Sequence, residues 1–176
     1  MDAGDAGGMY SLGRCYRLGL GVDVDNEKAL IWFRRAAEAG YDIAMNLLGR
    51  CLEQDTGVAQ DIFQAVAWYH KAAEAGNTDA MNNLGRCYGR GLGVERDTST
   101  ALGWFLKGAE AGNGISMMNV ALHYEKGIGV AVDMHTAMSW YRKAAEAGEA
   151  EGMKQFQRIQ SNLGLDSDNE EPIPIQ

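Results

Sequence analysis

Residues 36–40 read Ala-Ala-Glu-Ala-Gly; the same five residues return at 72–76 and 144–148, with Gly-Ala-Glu-Ala-Gly at 108–112. Successive copies are 36 residues apart. A fixed internal period of this size marks a repeat array, in which each unit is one supersecondary element and the molecule grows in one dimension. It overrides the length prior, under which 176 residues would be one large domain or two small ones. The units fall at 8–40, 44–76, 80–112 and 116–148.

Each block closes on a glycine (Gly40, Gly76, Gly112, Gly148), a natural helix C-cap signal. Upstream stand Ala29, Trp32 and Phe33 and their counterparts, the apolar stripe of a helix. Asp25, Asp61, Asp97 and Asp133 precede that stripe in the N-cap position. The other helix of each unit comes before a Gly-x-Gly-Val turn at 19–22, 91–94 and 127–130; unit two reads Asp55-Thr56-Gly57-Val58, where a looser turn is expected. On that helix Met9, Leu12, Gly13, Cys15 and Tyr16 share one side. A glycine inside a helix costs roughly 1 kcal/mol against alanine, so glycine at 13, 49 and 85 predicts close approach of a second helix.

Residues 150–163 keep the stripe through Gly152, Met153, Phe156 and Ile159 but set Lys154, Gln155, Gln157 and Arg158 outward, as a capping helix should. Residues 164–176 are acidic and aperiodic and read as a disordered tail. Asp2-Ala3-Gly4 repeats the register of Glu38-Ala39-Gly40, so residues 1–7 read as the end of a truncated or missing preceding repeat.

The net charge of −8 argues against nucleic acid and against anionic lipid. No apolar run approaches the ~18 residues of a membrane span. No signal peptide is visible at the N-terminus, so the expected location is cytoplasmic unless a leader has been removed.

Cys15, Cys51, Cys87 and His123 share one register position, and three Cys with one His is a zinc set. Side chains on successive units cannot converge on one ion, because packed helix axes are ~8–10 Å apart and ligand bonds are ~2 Å. Disulfides between neighbours fail similarly, and the thiols read as buried and structural, with no cofactor. The Gly-x-Gly turns lack a preceding strand and a following Gly-Lys-Ser/Thr, so they are turns and not phosphate loops. His70, His123 and His135 occupy different registers, no acid–base or nucleophile set is visible, and Trp32, Trp68, Trp104 and Trp140 read as core.

A unit reading small-x-x-x-Leu-Gly-x-x-Tyr-x-x-Gly-x-Gly-Val-x-x-Asp-x-x-x-Ala-x-x-Trp-Phe/Tyr-x-Lys/Arg-Ala-Ala-x-x-Gly resembles the Sel-one-like repeat (SLR) family, relatives of tetratricopeptide repeats, over about residues 6–148. Departures occur at Asp55, Gly108 and Val120-Ala121. The resemblance implies an all-α, right-handed αα-superhelical solenoid of four 36-residue helix-turn-helix repeats, here followed by the capping helix. It implies a concave face built mainly from the first helices, and a non-catalytic scaffold or adaptor for protein partners. Some secreted SLR relatives carry two cysteines per unit; no more than one per unit here fits a reducing compartment.

The candidate binding residues lie on the outward side of the first helices: Tyr10, Arg14, Arg17, Asn46, Arg50, Asn82, Asn83, Arg86, Arg90 and Asn119. With Lys126, the five columns of this side hold six basic residues against Glu53 and Glu125, a local +4 on a chain of net −8. Asparagine amides can grip a peptide backbone and arginine forks can take carboxylates. Equally, each arginine could pair within the fold with Glu38, Glu74 or Glu110. The leading reading is a protein or peptide partner with acidic groups, on a monomer or weakly self-associating array. Two alternatives stand beside it. One is small-molecule binding or hydrolysis, as the resemblance to cysteine-rich SLR proteins linked to penicillin binding would imply. The other is a self-associating fragment of a larger scaffold.

Overall fold

Asp25, Asp61, Asp97 and Asp133 each begin a helix, because a carboxylate there accepts a backbone N–H that the first turn leaves unpaired. The bonds run from the N–H of Lys28, Gln64, Thr100 and Thr136 at 2.9, 2.9, 3.1 and 3.0 Å. The computed structural model describes residues 5–54 and 59–165. Among them the chain runs α1 (Ala6–Leu18), α2 (Asn26–Glu38), α3 (Asp42–Gln54), α4 (Ile62–Glu74), α5 (Thr78–Arg90), α6 (Thr98–Glu110), α7 (Gly114–Lys126), α8 (Met134–Glu146) and α9 (Ala150–Asn162). Each helix packs on the next in sequence, giving a solenoid of four helix pairs closed by α9.

The first helices start two residues earlier than the periodicity suggests. Ala6 and Gly7, expected ahead of repeat one, are therefore the first turn of α1, with Asp5 as its cap. Residues 1–4, the Asp55–Val58 turn and most of the acidic tail lie outside the described residues. The Gly-x-Gly turns need both glycines. Gly19, Gly91 and Gly127 end their helices at φ of 70°, 73° and 68°, the left-handed region that favours glycine. A Cβ on Gly93 would come 2.8 Å from the Ile62 carbonyl oxygen, so the turn nests on the preceding repeat.

The buried aromatic is the one after each tryptophan: Phe33, Tyr69, Phe105 and Tyr141 are all 5% exposed or less. The expectation that the tryptophans are core is corrected, since all four are only half-buried. Residue i+3 on a helix covers the same side as residue i, and here it is basic. Arg35, Lys71, Lys107 and Lys143 lie 4.8, 4.3, 4.2 and 4.1 Å from the Trp32, Trp68, Trp104 and Trp140 rings. The rim indole is thus sealed by a cation.

Helix-interior glycines accept the buried rings. A Cβ on Gly13, Gly49 or Gly85 would stand 2.7, 2.7 or 2.5 Å from the rings of Phe33, Tyr69 or Phe105. Gly85→Val is expected to cost about 2 kcal/mol in urea unfolding, overpacking outweighing the lost glycine. A change under about 0.5 kcal/mol would show that the ring slot is loose. Gly108 has a local cause too: a Cβ there would meet Ser116 Oγ at 2.5 Å. Ser116 is larger than its counterparts Ala44 and Ala80, and the glycine makes room for it.

Candidate functional site

First helices α5 and α7 touch directly, and no pair of second helices approaches as closely. Their side chains bridge from repeat to repeat. Asn83 Nδ2 on α5 donates to Asn46 Oδ1 on α3 at 2.9 Å, and Asn119 Nδ2 on α7 donates to Asn82 Oδ1 at 2.8 Å. Asn46 is buried at 8% exposure, and each bond uses one end of each amide.

Two ionic networks interrupt the ladder. The Tyr69 hydroxyl donates to Glu53 Oε2 at 2.7 Å, and Arg86 grips both oxygens of the same carboxylate. This joins α3, α4 and α5 through three side chains. The arrangement recurs two repeats on: the Tyr141 hydroxyl donates to Glu125 Oε2 at 2.8 Å, with Arg158 Nη2 at 2.9 Å and Lys126 Nζ at 2.8 Å from Oε1. The Arg86 guanidinium holds the Glu53 carboxyl below the usual range. Burial pushes Glu125 upward, but donors from Lys126, Tyr141 and Arg158 outweigh it, and that carboxyl also ends low. Burial, then the adjoining carboxylate, drives both phenols well above their ordinary value.

Repeats one and three lack the network. Where the aromatic is Phe33, the glutamate position holds Arg17, whose guanidinium lies 5.6 Å from the Phe33 ring. Where it is Phe105, that position is Gly89. The hydroxyl therefore appears only where a carboxylate can accept from it.

The ten expected binding residues separate accordingly. Arg86 is half-buried and its fork is occupied by Glu53; the expected partners Glu38, Glu74 and Glu110 do not hold the arginines. Tyr10 packs within the fold, 5.5 Å from the Phe33 ring and 5.2 Å from that of Tyr41. Asn46, Asn82, Asn83 and Asn119 form the ladder. Arg14, Arg17, Arg50 and Arg90 are exposed and make no ion pair among the described residues, Arg17 lying over the Phe33 ring. Arg158, expected on the outer face of the capping helix, is exposed there and also reaches Glu125 with its Nη2. Sequence reasoning missed Tyr69, Tyr141 and Arg158 as partners of Glu53 and Glu125. The available signal was tyrosine in place of phenylalanine wherever glutamate stands 16 residues earlier and arginine 17 later.

A cleft of about 460 Å³ opens between repeats one and two, lined by Arg17, Leu30, Phe33, Leu47, Arg50 and Cys51 among others. Cys87 is fully buried, and burial pushes its thiol up to about 11. Cys15 and Cys51 are half-buried, which corrects the expectation of three buried thiols; all three are free. His123, their counterpart in repeat four, is buried; its Nδ1–H donates to the Ile128 carbonyl at 2.7 Å, and burial lowers its pKa. Among the described residues no group of three or more His, Cys, Asp or Glu could hold a metal, and no helix is long and apolar enough to cross a membrane.

No curated protein matches this chain. A Sel1 repeat protein from Oxalobacter formigenes is 32% identical, with a TM-score of 0.88 over 95% of this chain and 69% of its own. A protective antigen of uropathogenic Escherichia coli displaying an SLR fold is 35% identical, with a TM-score of 0.85 over 95% of this chain but 36% of its own. Helicobacter pylori cysteine rich protein B shares the fold at 16% identity and a TM-score of 0.63, over 74% of this chain and 96% of its own. The Sel1 repeat model matches residues 6–41, 42–77, 78–113 and 114–149 without a gap. With nearly the whole helical array accounted for in this way, the chain belongs to the Sel1 repeat family.

Proposed function

We propose that this protein is a non-catalytic interaction scaffold that receives an acidic segment of a protein partner along the face formed by its first helices. The observation that carries the reading is the set Arg14, Arg50 and Arg90, exposed on one face and without an ion pair among the described residues, on a chain with net charge −8. An arginine fork left open on an acidic protein favours a carboxylate-bearing ligand and repels a basic one. The partly exposed amides of Asn82, Asn83 and Asn119, each with one end used in the ladder, offer donors and acceptors to an extended backbone beside it. Free thiols fit a reducing compartment.

The test is an immobilised panel of acidic, neutral and basic peptides, read against wild type and the Arg14→Glu/Arg90→Glu variant. Acidic peptides should bind preferentially, and the variant should lose about tenfold in affinity, or 1.4 kcal/mol, at unchanged thermal stability. Equal binding of basic peptides, or an unaffected variant, overturns the proposal.

A further inference from the structure

We propose that the cleft between repeats one and two is a subsite for a carboxylate supplied from outside the chain, an aspartate or glutamate side chain of the partner. The inference rests on the scaffold reading above and locates one point of its recognition. Its basis is the chain's own pattern. In repeats two and four this position is filled by an internal carboxylate, Glu53 or Glu125, which accepts from a tyrosine hydroxyl and from the arginine of the next first helix. In repeat one that carboxylate is missing. Arg17 stands in the glutamate position, Phe33 in the tyrosine position, and Arg50 in that of Arg86.

Arg17 and Arg50 thus both line one open space, and among the described residues no carboxylate lines it with them. Arg17 lies over the Phe33 ring, and Arg50 makes no ion pair among the described residues. Two guanidiniums, with Asn26 and Gln54 as the other polar lining, give the cleft a positive potential that Glu53, acting on Arg50 from a distance, offsets only in part, and that an anion relieves. A planar carboxylate matches the fork bidentately, as Glu53 does with Arg86. The methylenes of an acidic side chain would lie against Leu30, Phe33 and Leu47 on the cleft wall. Charge complementarity therefore selects the occupant: an acidic side chain, in place of an apolar or basic one.

Cys51 lines the cleft and reports on it. The probe is N-acetyl-glutamate amide, with N-acetyl-glutamine amide as the neutral match at equal ionic strength. Alkylation of each cysteine by iodoacetamide is followed by peptide mass spectrometry. The glutamate probe at twice its dissociation constant should slow Cys51 about threefold and leave Cys15 unchanged, by simple occupancy. The glutamine probe should do nothing. Arg50→Gln should abolish the protection.

Arg17→Glu/Phe33→Tyr rebuilds the repeat-two network around Arg50. It should slow Cys51 without any probe and remove the probe's effect, while raising the melting temperature. Equal protection by both probes, no protection by the glutamate probe, or protection that survives Arg50→Gln overturns the subsite. If Cys51 is not protected but the Arg14→Glu/Arg90→Glu variant still loses acidic peptides, the subsite falls and the scaffold reading stands. If protection holds while the peptide panel shows no preference, the scaffold reading falls and the cleft stands as a site for small carboxylates.

Discussion

Tyr69→Ala should lower the free energy of unfolding by about 3–5 kcal/mol, a cost expected for removing a buried aromatic ring. Tyr69 is 0% exposed, and its ring fills the slot that Gly49 leaves on the facing helix. Removing the ring empties that slot and leaves Glu53 without its phenolic donor. Repeat two is internal, so its loss weakens the seams on both sides, and in an array each seam is a nearest-neighbour stability term. Tyr69→Phe separates the two contributions. Phe33 and Phe105 occupy the same slot in repeats one and three, so phenylalanine fits; only the hydroxyl bond is lost, at about 1–2 kcal/mol. Urea unfolding of both variants decides the matter. A Tyr69→Ala loss under about 1.5 kcal/mol would mean that the array closes over the gap.

The second large effect is Glu53→Gln, expected to cost about 2–3 kcal/mol at neutral pH. Removing one member of a buried pair costs up to several kcal/mol, but Arg86 keeps 27% of its side chain in water, which places the figure at the low end. The effect must depend on pH. In the folded state the Glu53 carboxyl titrates below its unfolded value of about 4.3, so its contribution is fully present above that pH. It is lost as the pH falls through the folded value. Wild type should lose stability on acidification faster than Glu53→Gln, and the two unfolding midpoints should converge below about pH 4. Glu125 shifts in the same direction and is intact in both proteins, so it cancels from the difference. A gap that stays constant from pH 7 to pH 3 would remove the ion pair from the explanation.

The fold was legible because it is written four times. The capping aspartates, the glycine turns and the helix-interior glycines recur at one spacing, and each recurrence reports the same local requirement. Single-unit departures were less legible. Gly108 makes sense only beside Ser116, its neighbour across the α6–α7 seam. The tryptophans were misread because strict recurrence marks any structural position, and a rim covered by a cation recurs as faithfully as a core. In the candidate site, columns of side chains were visible, but their pairing was not. Register aligns residues one repeat apart, whereas the bonds run diagonally: Asn46 to Asn83, and Glu53 to Arg86. A wheel drawn on one helix cannot show which neighbour a long side chain reaches. Arg86 was consequently grouped with Arg50, although one is occupied and the other open.

The Tyr–Glu–Arg network also sets a rule for editing the array. Its period is two repeats, so the unit of grammar is longer than the unit of sequence. Excising residues 78–149 would bring Arg158 up against Glu53 and Tyr69, and the sentence would read on across the join. Excising residues 78–113 alone would put Leu122 there, stranding a carboxylate opposite an aliphatic side chain. Shortening at this seam is therefore tolerated in pairs and penalised in single steps.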